Sequence, residues 1–111
     1  MKLRQVTGPF GANSQIHISN MNADIVHIGI QIPNRPPLSW QDDAGQWVGN
    51  GASQPDVYFM HGNGDKKGYT INKCGILEFD GELSDGEATI GFAHNFPMNT
   101  IVDIIFKNAN E

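Results

Sequence analysis

Four histidines, one cysteine, two tryptophans and twelve acidic side chains are the residues of this chain best equipped for chemistry. Their spacing gives them little to do. His17, His27, His61 and His94 form no i,i+2 or i,i+4 pair, so no single element offers two imidazoles to one ion. His17 and His27 would begin a metal site if their strands were neighbours, but a third ligand is not evident. The sequence favours solvated histidines on strand faces. Asp42-Asp43, with Asp56 and Asp65 elsewhere, lacks the alternating Asp-x-Asp-x-Asp pattern of a cation loop and reads as a solvated acidic turn. Ser14, Ser19, Ser39, Ser53 and Ser84 lie in no Gly-x-Ser-x-Gly elbow. Cys74 has only Lys73 as a basic neighbour, which makes it a packed or half-exposed thiol. Glu78 could approach Glu87 or Asp103 across strands as an acid/base pair, yet it is also the polar position between Leu77 and Phe79. The glycines of 45–51 and of Gly62-Asn63-Gly64 follow no βα unit, so they are not a phosphate loop. The expectation is a chain with no catalytic residue, no metal and no cofactor.

Aromatic contact is the other chemistry available. Segment 33–55 carries Pro33, Pro36, Pro37 and Pro55 together with both tryptophans, Trp40 and Trp47. Connections longer than about 12–15 residues in compact domains are usually functional or disordered, and disordered segments are poor in aromatics. Three readings follow for the insert. Trp40 and Trp47 are contacts to a partner protein, or indoles folded back to plug an open end of the domain, or, with Tyr58, platforms on which a glycan stacks.

The elements that would position these residues are strands. Segment 24–32 alternates, with Val26, Ile28, Ile30 and Ile32 on one face and His27, Gly29 and Gln31 on the other. Segment 2–7 alternates weakly and reads as an edge strand closed by Gly8-Pro9. In 14–19, Ile16 and Ile18 oppose His17. Val57-Tyr58-Phe59-Met60 leads into the turn-forming His61-Gly62-Asn63-Gly64-Asp65, with Lys66-Lys67 still in that turn and Tyr69-Thr70-Ile71 returning. Three further apolar runs occupy 75–81, 88–93 and 100–106, divided at Asp80-Gly81, Asp85-Gly86 and an Asn/Pro-rich break. Seven or eight strands without a helical period predict an all-β antiparallel sandwich, jelly-roll or immunoglobulin-like. Val26, Ile28, Ile30, Ile90, Phe92, Val102 and Ile104 should form its core.

Composition bounds the rest. A chain of 111 residues fits one domain, 1–111, able to bury a core unaided. One cysteine excludes an internal disulfide. A net charge of −5 with only 7 Lys+Arg argues against nucleic acid, whose affinity is built from clustered cations. The N-terminus lacks the apolar stretch of a signal peptide, and no run approaches the ~20 apolar residues of a membrane span.

The last strand holds one oddity. In Ile101-Val102-Asp103-Ile104-Ile105-Phe106 one face carries Val102, Ile104 and Phe106, while the other carries Ile101, Asp103 and Ile105 and is also mostly apolar. Such a strand is central to a larger core or covered by a neighbour. The run Gly75-Ile76-Leu77-Glu78-Phe79, the following 88–92 strand and Thr100-Ile101-Val102-Asp103-Ile104 resemble the closing portion of small β-domains in virion and tail-associated proteins of bacteriophages. The resemblance covers the last third of the chain. It implies a non-enzymatic structural protein of the tail, baseplate or capsid decoration, made in the host cytoplasm and carried in the virion. Its partners would be itself and other virion proteins, met through Trp40, Trp47, Ile101, Asp103 and Ile105. The alternative is a carbohydrate-binding module that uses Trp40, Trp47 and Tyr58.

Overall fold

Alternation in the sequence becomes two opposed sheets in the computed structural model, which describes residues 2–20, 22–33, 40–41, 47–48, 55–61, 64–72 and 74–107. The strands are β1 (Lys2–Thr7), β2 (Gln15–Ser19), β3 (Ile25–Gln31), β4 (Trp40–Gln41), β5 (Trp47–Val48), β6 (Val57–His61), β7 (Lys66–Tyr69), β8 (Ile76–Glu82), β9 (Glu87–Phe92) and β10 (Ile101–Lys107). One four-stranded sheet has the order β1-β10-β3-β8 and the other β2-β9-β6-β7, while β4 and β5 form a two-stranded ladder of their own. All the pairings are antiparallel. No helix occurs among the described residues.

The order identifies the topology. Pairs β1·β10, β2·β9, β3·β8 and β6·β7 are the rungs of one nested hairpin, rolled so that β10 also meets β3 and β9 also meets β6. An eight-stranded double-sheet arrangement of this kind is a jelly roll. The immunoglobulin-like option is thereby set aside.

Burial follows the pleat. Val26, Ile28 and Ile30 of β3 stand beside Phe106, Ile104 and Val102 of β10, and all are buried. Ile90 and Phe92 of β9, Ile16 and Ile18 of β2, and Val57 and Phe59 of β6 face them from the second sheet. Every residue expected in the core is there. Between the sheets, the Tyr69 ring stacks on Phe79 at 3.9 Å and Phe59 meets Phe79 edge-on at 5.7 Å.

Gly81 explains where the sequence misleads. Asp80-Gly81 has the composition of a turn, yet both residues lie inside β8. A Cβ at Gly81 would come within 2.5 Å of the Phe59 ring, so the glycine is needed for inter-sheet packing rather than for chain reversal. The reversal comes later, where Asp85 (φ 53°) and Gly86 (φ 76°) join Ser84 and Glu87, which exchange both backbone hydrogen bonds. Two successive positive φ angles are the signature of the tight hairpin turn that matches strand twist. Lys66 and Lys67 likewise belong to β7 and not to the turn, because Lys66 pairs with Met60 and Lys67 with Phe59.

Two substitutions test this packing. Ile28→Ala should cost about 2–5 kcal/mol by leaving a cavity. Gly81→Ala should cost about 1–3 kcal/mol by overpacking. Both are read from denaturant midpoints, and a neutral Gly81→Ala would refute the contact with Phe59.

Candidate functional site

One end of the sandwich is clipped shut by its loops. Phe10 and Phe96 exchange backbone hydrogen bonds of 3.1 and 2.7 Å, Asn13 N–H donates to Phe92 O at 2.8 Å, and Ala12 N–H donates to Asn95 Oδ1 at 2.9 Å. Phe10 stacks on Phe92 at 4.4 Å, and Phe96 meets Phe92 edge-on at 5.0 Å. Asn13 takes φ 67°, a conformation asparagine tolerates better than most residues. The β1–β2 loop is thus fixed against the end of β9 and stands as a wall beside the second sheet.

That wall borders a trough of about 360 Å³ on the outer face of β2-β9-β6-β7, lined by Asn13, Gln15, Tyr58, Met60, Lys66 and Gly91 among others. Its floor is low because Gln15 and Tyr58 flank Gly91 in one cross-strand row, and the glycine supplies no side chain. Across β7 the next residue in that row is Gly68, where a Cβ would come within 2.6 Å of Pro55 and 3.3 Å of Tyr58. Pro55, the last residue of the 33–55 segment, therefore packs beside Tyr58. The Lys66 ammonium lies 4.3 Å from the Tyr58 ring centroid and takes part in no ion pair among the described residues.

The opposite sheet presents a different surface. On its outer face Ile101, Asp103 and Ile105 of β10 are half-buried, and Ile76 of β8 is 40% exposed. Asp103 and Glu78 flank Gly29 in one row, and a shallow groove of about 240 Å³ runs over that glycine. Gln5 Nε2 donates to Asp103 Oδ1 at 2.7 Å, so the donor this carboxylate needs comes from the adjacent edge strand. His27 reaches Asp80 at 2.6 Å through Nδ1 and Glu78 at 3.4 Å through Nε2, and Lys107 Nζ lies 3.8 Å from Asp80. These solvent-exposed pairs contribute little to stability.

A third feature is buried. Asp56 is fully inaccessible and His94 is 5% exposed, with Asp56 Oδ1 3.3 Å from His94 Nε2. Ile71 N–H donates to Asp56 Oδ2 at 2.9 Å, while the Asp56 backbone joins Tyr69 and Ala93. Asp56 therefore ties the start of β6 to the ends of β7 and β9. Burial raises its carboxyl above the ordinary value of 3.8, opposed by the Ile71 N–H and by His94.

The sequence-derived candidates are thus divided. Tyr58 lies in the trough, while Ile101, Asp103 and Ile105 lie on the other sheet. For Trp40 and Trp47 only the backbone is described, with Trp40 opposite Val48 and Trp47 opposite Gln41, so the plug and contact readings of these indoles fall outside the described side chains. His17 and His27 belong to different sheets and cannot share an ion; His17 instead lies 3.4 Å from Glu87. Glu87, in the second sheet, is also parted from Glu78. His94 is not a solvated strand-face histidine, because it lies in the β9–β10 loop and turns inward to Asp56. Asp56 likewise belongs to no solvated acidic cluster. Cys74 is exposed. No group of three metal-ligating side chains occurs among the described residues, and no helix among them is long and apolar enough to cross a membrane. The sequence signal for the trough was present but unread: Gln15, Tyr58 and Gly91 each occupy the outward phase of an alternating strand.

No protein-family model, curated protein or solved structure matches this chain.

The buried pair gives a pH prediction. Below about 3.8 the folded and unfolded states both hold the Asp56 proton; between 3.8 and the raised folded value only the folded state holds it. The contribution of Asp56 to folding stability therefore falls as pH rises through that window and stays low above it. Asp56→Asn keeps an acceptor for Ile71 N–H and removes the ionisation. Its stability relative to the unsubstituted protein should rise with pH across the same window, whereas a flat difference would refute the assignment. Asp56→Ala should cost about 1–3 kcal/mol by stranding the Ile71 N–H. Urea unfolding at several pH values measures both.

Proposed function

We propose that this chain is a non-enzymatic structural protein of a bacteriophage virion, placed in the tail or baseplate rather than in capsid decoration. It works through contacts with further copies of itself or with other virion proteins. The observation that carries the reading is the outer face of β1-β10-β3-β8. Ile101 and Ile105 on the central strand β10, with Asp103 between them, and Ile76 on the edge strand β8, across Gln31 from Ile101, place three apolar side chains on a face that also carries Gln5, His27, Glu78 and Asp80. Apolar side chains interleaved with polar ones suit a protein contact, which taken whole is about as apolar as the rest of a protein surface. The jelly roll adds support by analogy, since capsid domains use this architecture, although lectins and cupins do so too.

Ile105→Lys tests the reading. The residue points away from the sandwich interior, so the thermal midpoint of the free chain should scarcely move. In a contact hiding at least ~1,000 Å², the stranded ammonium should abolish assembly. Mass in solution, alone and with purified particles, is the measurement. A chain that stays monomeric in both conditions removes the proposal.

A further inference from the structure

We propose that the trough on β2-β9-β6-β7 binds an acidic saccharide unit, one that carries a carboxylate on a pyranose ring. The site lies on the sheet opposite the assembly face and shares with the glycan reading of the sequence only Tyr58. Its chemistry is of three kinds. Tyr58 and Met60 offer an apolar side for the C–H faces of a sugar ring. Asn13 and Gln15 offer amides on the opposite wall, and no hydrogen bond among the described residues engages either side chain or the Tyr58 hydroxyl. Lys66 is held at the rim by its contact with the Tyr58 ring and brings the positive charge of the trough.

Other ligand classes fit less well. A metal would need carboxylate or imidazole ligands, and the lining has none. A nucleic acid needs many cations along a groove, whereas this lining holds one. A peptide added as a strand needs an unpaired edge, but β6 and β9 are both paired on two sides. Lipid tails require an apolar lining, which the amides and the ammonium exclude. What fits is a small polyhydroxylated ring with one negative charge, and about 360 Å³ lies within the range of small-ligand sites. Gly91 makes the room. A Cβ there would come within 2.9 Å of Met60 Cε, the movable end of a flexible side chain, so the floor can be filled without breaking the sheet.

Titration calorimetry with the full chain tests the proposal, using oligogalacturonate and neutral cello-oligosaccharides of equal length as probes. Saturable binding of the acidic probe, at least about tenfold tighter than the neutral one, is expected. Lys66→Gln should bring the acidic probe down to the neutral level, and Tyr58→Ala should abolish binding of both. Gly91→Val should also abolish binding while the thermal midpoint shows the chain still folded. Absence of saturable binding to either probe overturns the proposal. So does equal affinity for the two, or binding that survives both Tyr58→Ala and Gly91→Val. None of these outcomes bears on assembly through the opposite sheet, because the Ile105→Lys measurement reads that separately.

Discussion

The register between β3 and β10 is the constraint on which the rest depends. Val26 stands beside Phe106, Ile28 beside Ile104, and Ile30 beside Val102, and the six fill the middle of the core. A slip of one residue between the two strands would turn the inward three of one strand outward and bring in His27 and Gln31 from β3, or Asp103 from β10. Exposure of three large side chains at about 1.5–3 kcal/mol each makes that slip prohibitive. Once this pair is set, β1 and β8 are added at its two sides, and the outward residues of β10 become the patch around Ile101 and Ile105. The two faces of one strand thus set the core and the proposed contact surface together.

Glycines shape what remains. Gly81 leaves space inside for the Phe59 ring, so the sheets can approach where β6 passes β8. Gly29 and Gly91 sit at outward positions, one in each sheet, and each lowers the floor of a depression. Gly68 admits Pro55 beside Tyr58. The same residue type therefore serves packing on one side of the sheet and recognition on the other. Among the described glycines only Gly64, Gly75 and Gly86 have the positive φ that is the usual reason for a glycine.

The buried Asp56–His94 pair sits where the strands most need a tie. The carboxylate accepts the Ile71 N–H just beyond the end of the β6–β7 ladder and reaches His94 in the β9–β10 loop, extending the backbone bonds of Asp56 to Tyr69 and Ala93. Its desolvation is only partly offset by the Ile71 N–H and by the imidazole, so burial still favours the neutral carboxyl. On the exposed side, His27 and its two carboxylates form the same kind of contact in water, where it contributes little. Environment, not residue type, separates a structural tie from a solvated pair.

The sequence by itself determined most of the strands of the two sheets, though not the extent of β7 or the short β4 and β5, because alternation with period two is local and the inward phase of 24–32 and 100–106 is unambiguous. It determined the centre of the buried face, Val26, Ile28, Ile30, Ile90, Phe92, Val102 and Ile104, and the edge position of 2–7. It could not decide between jelly roll and immunoglobulin-like order, since pairing of β1 with β10 joins residues about a hundred positions apart and leaves no local trace. It misjudged Asp80-Gly81 because a glycine needed by a distant aromatic ring looks the same as one needed by a turn. It missed the trough and the Asp56–His94 tie for the same reason. Asn13, Tyr58, Lys66 and Gly91 come from four separate segments, and the partners of Asp56 come from two, 69–71 and 93–94. Only the rolling of the nested hairpin brings them within reach of one another.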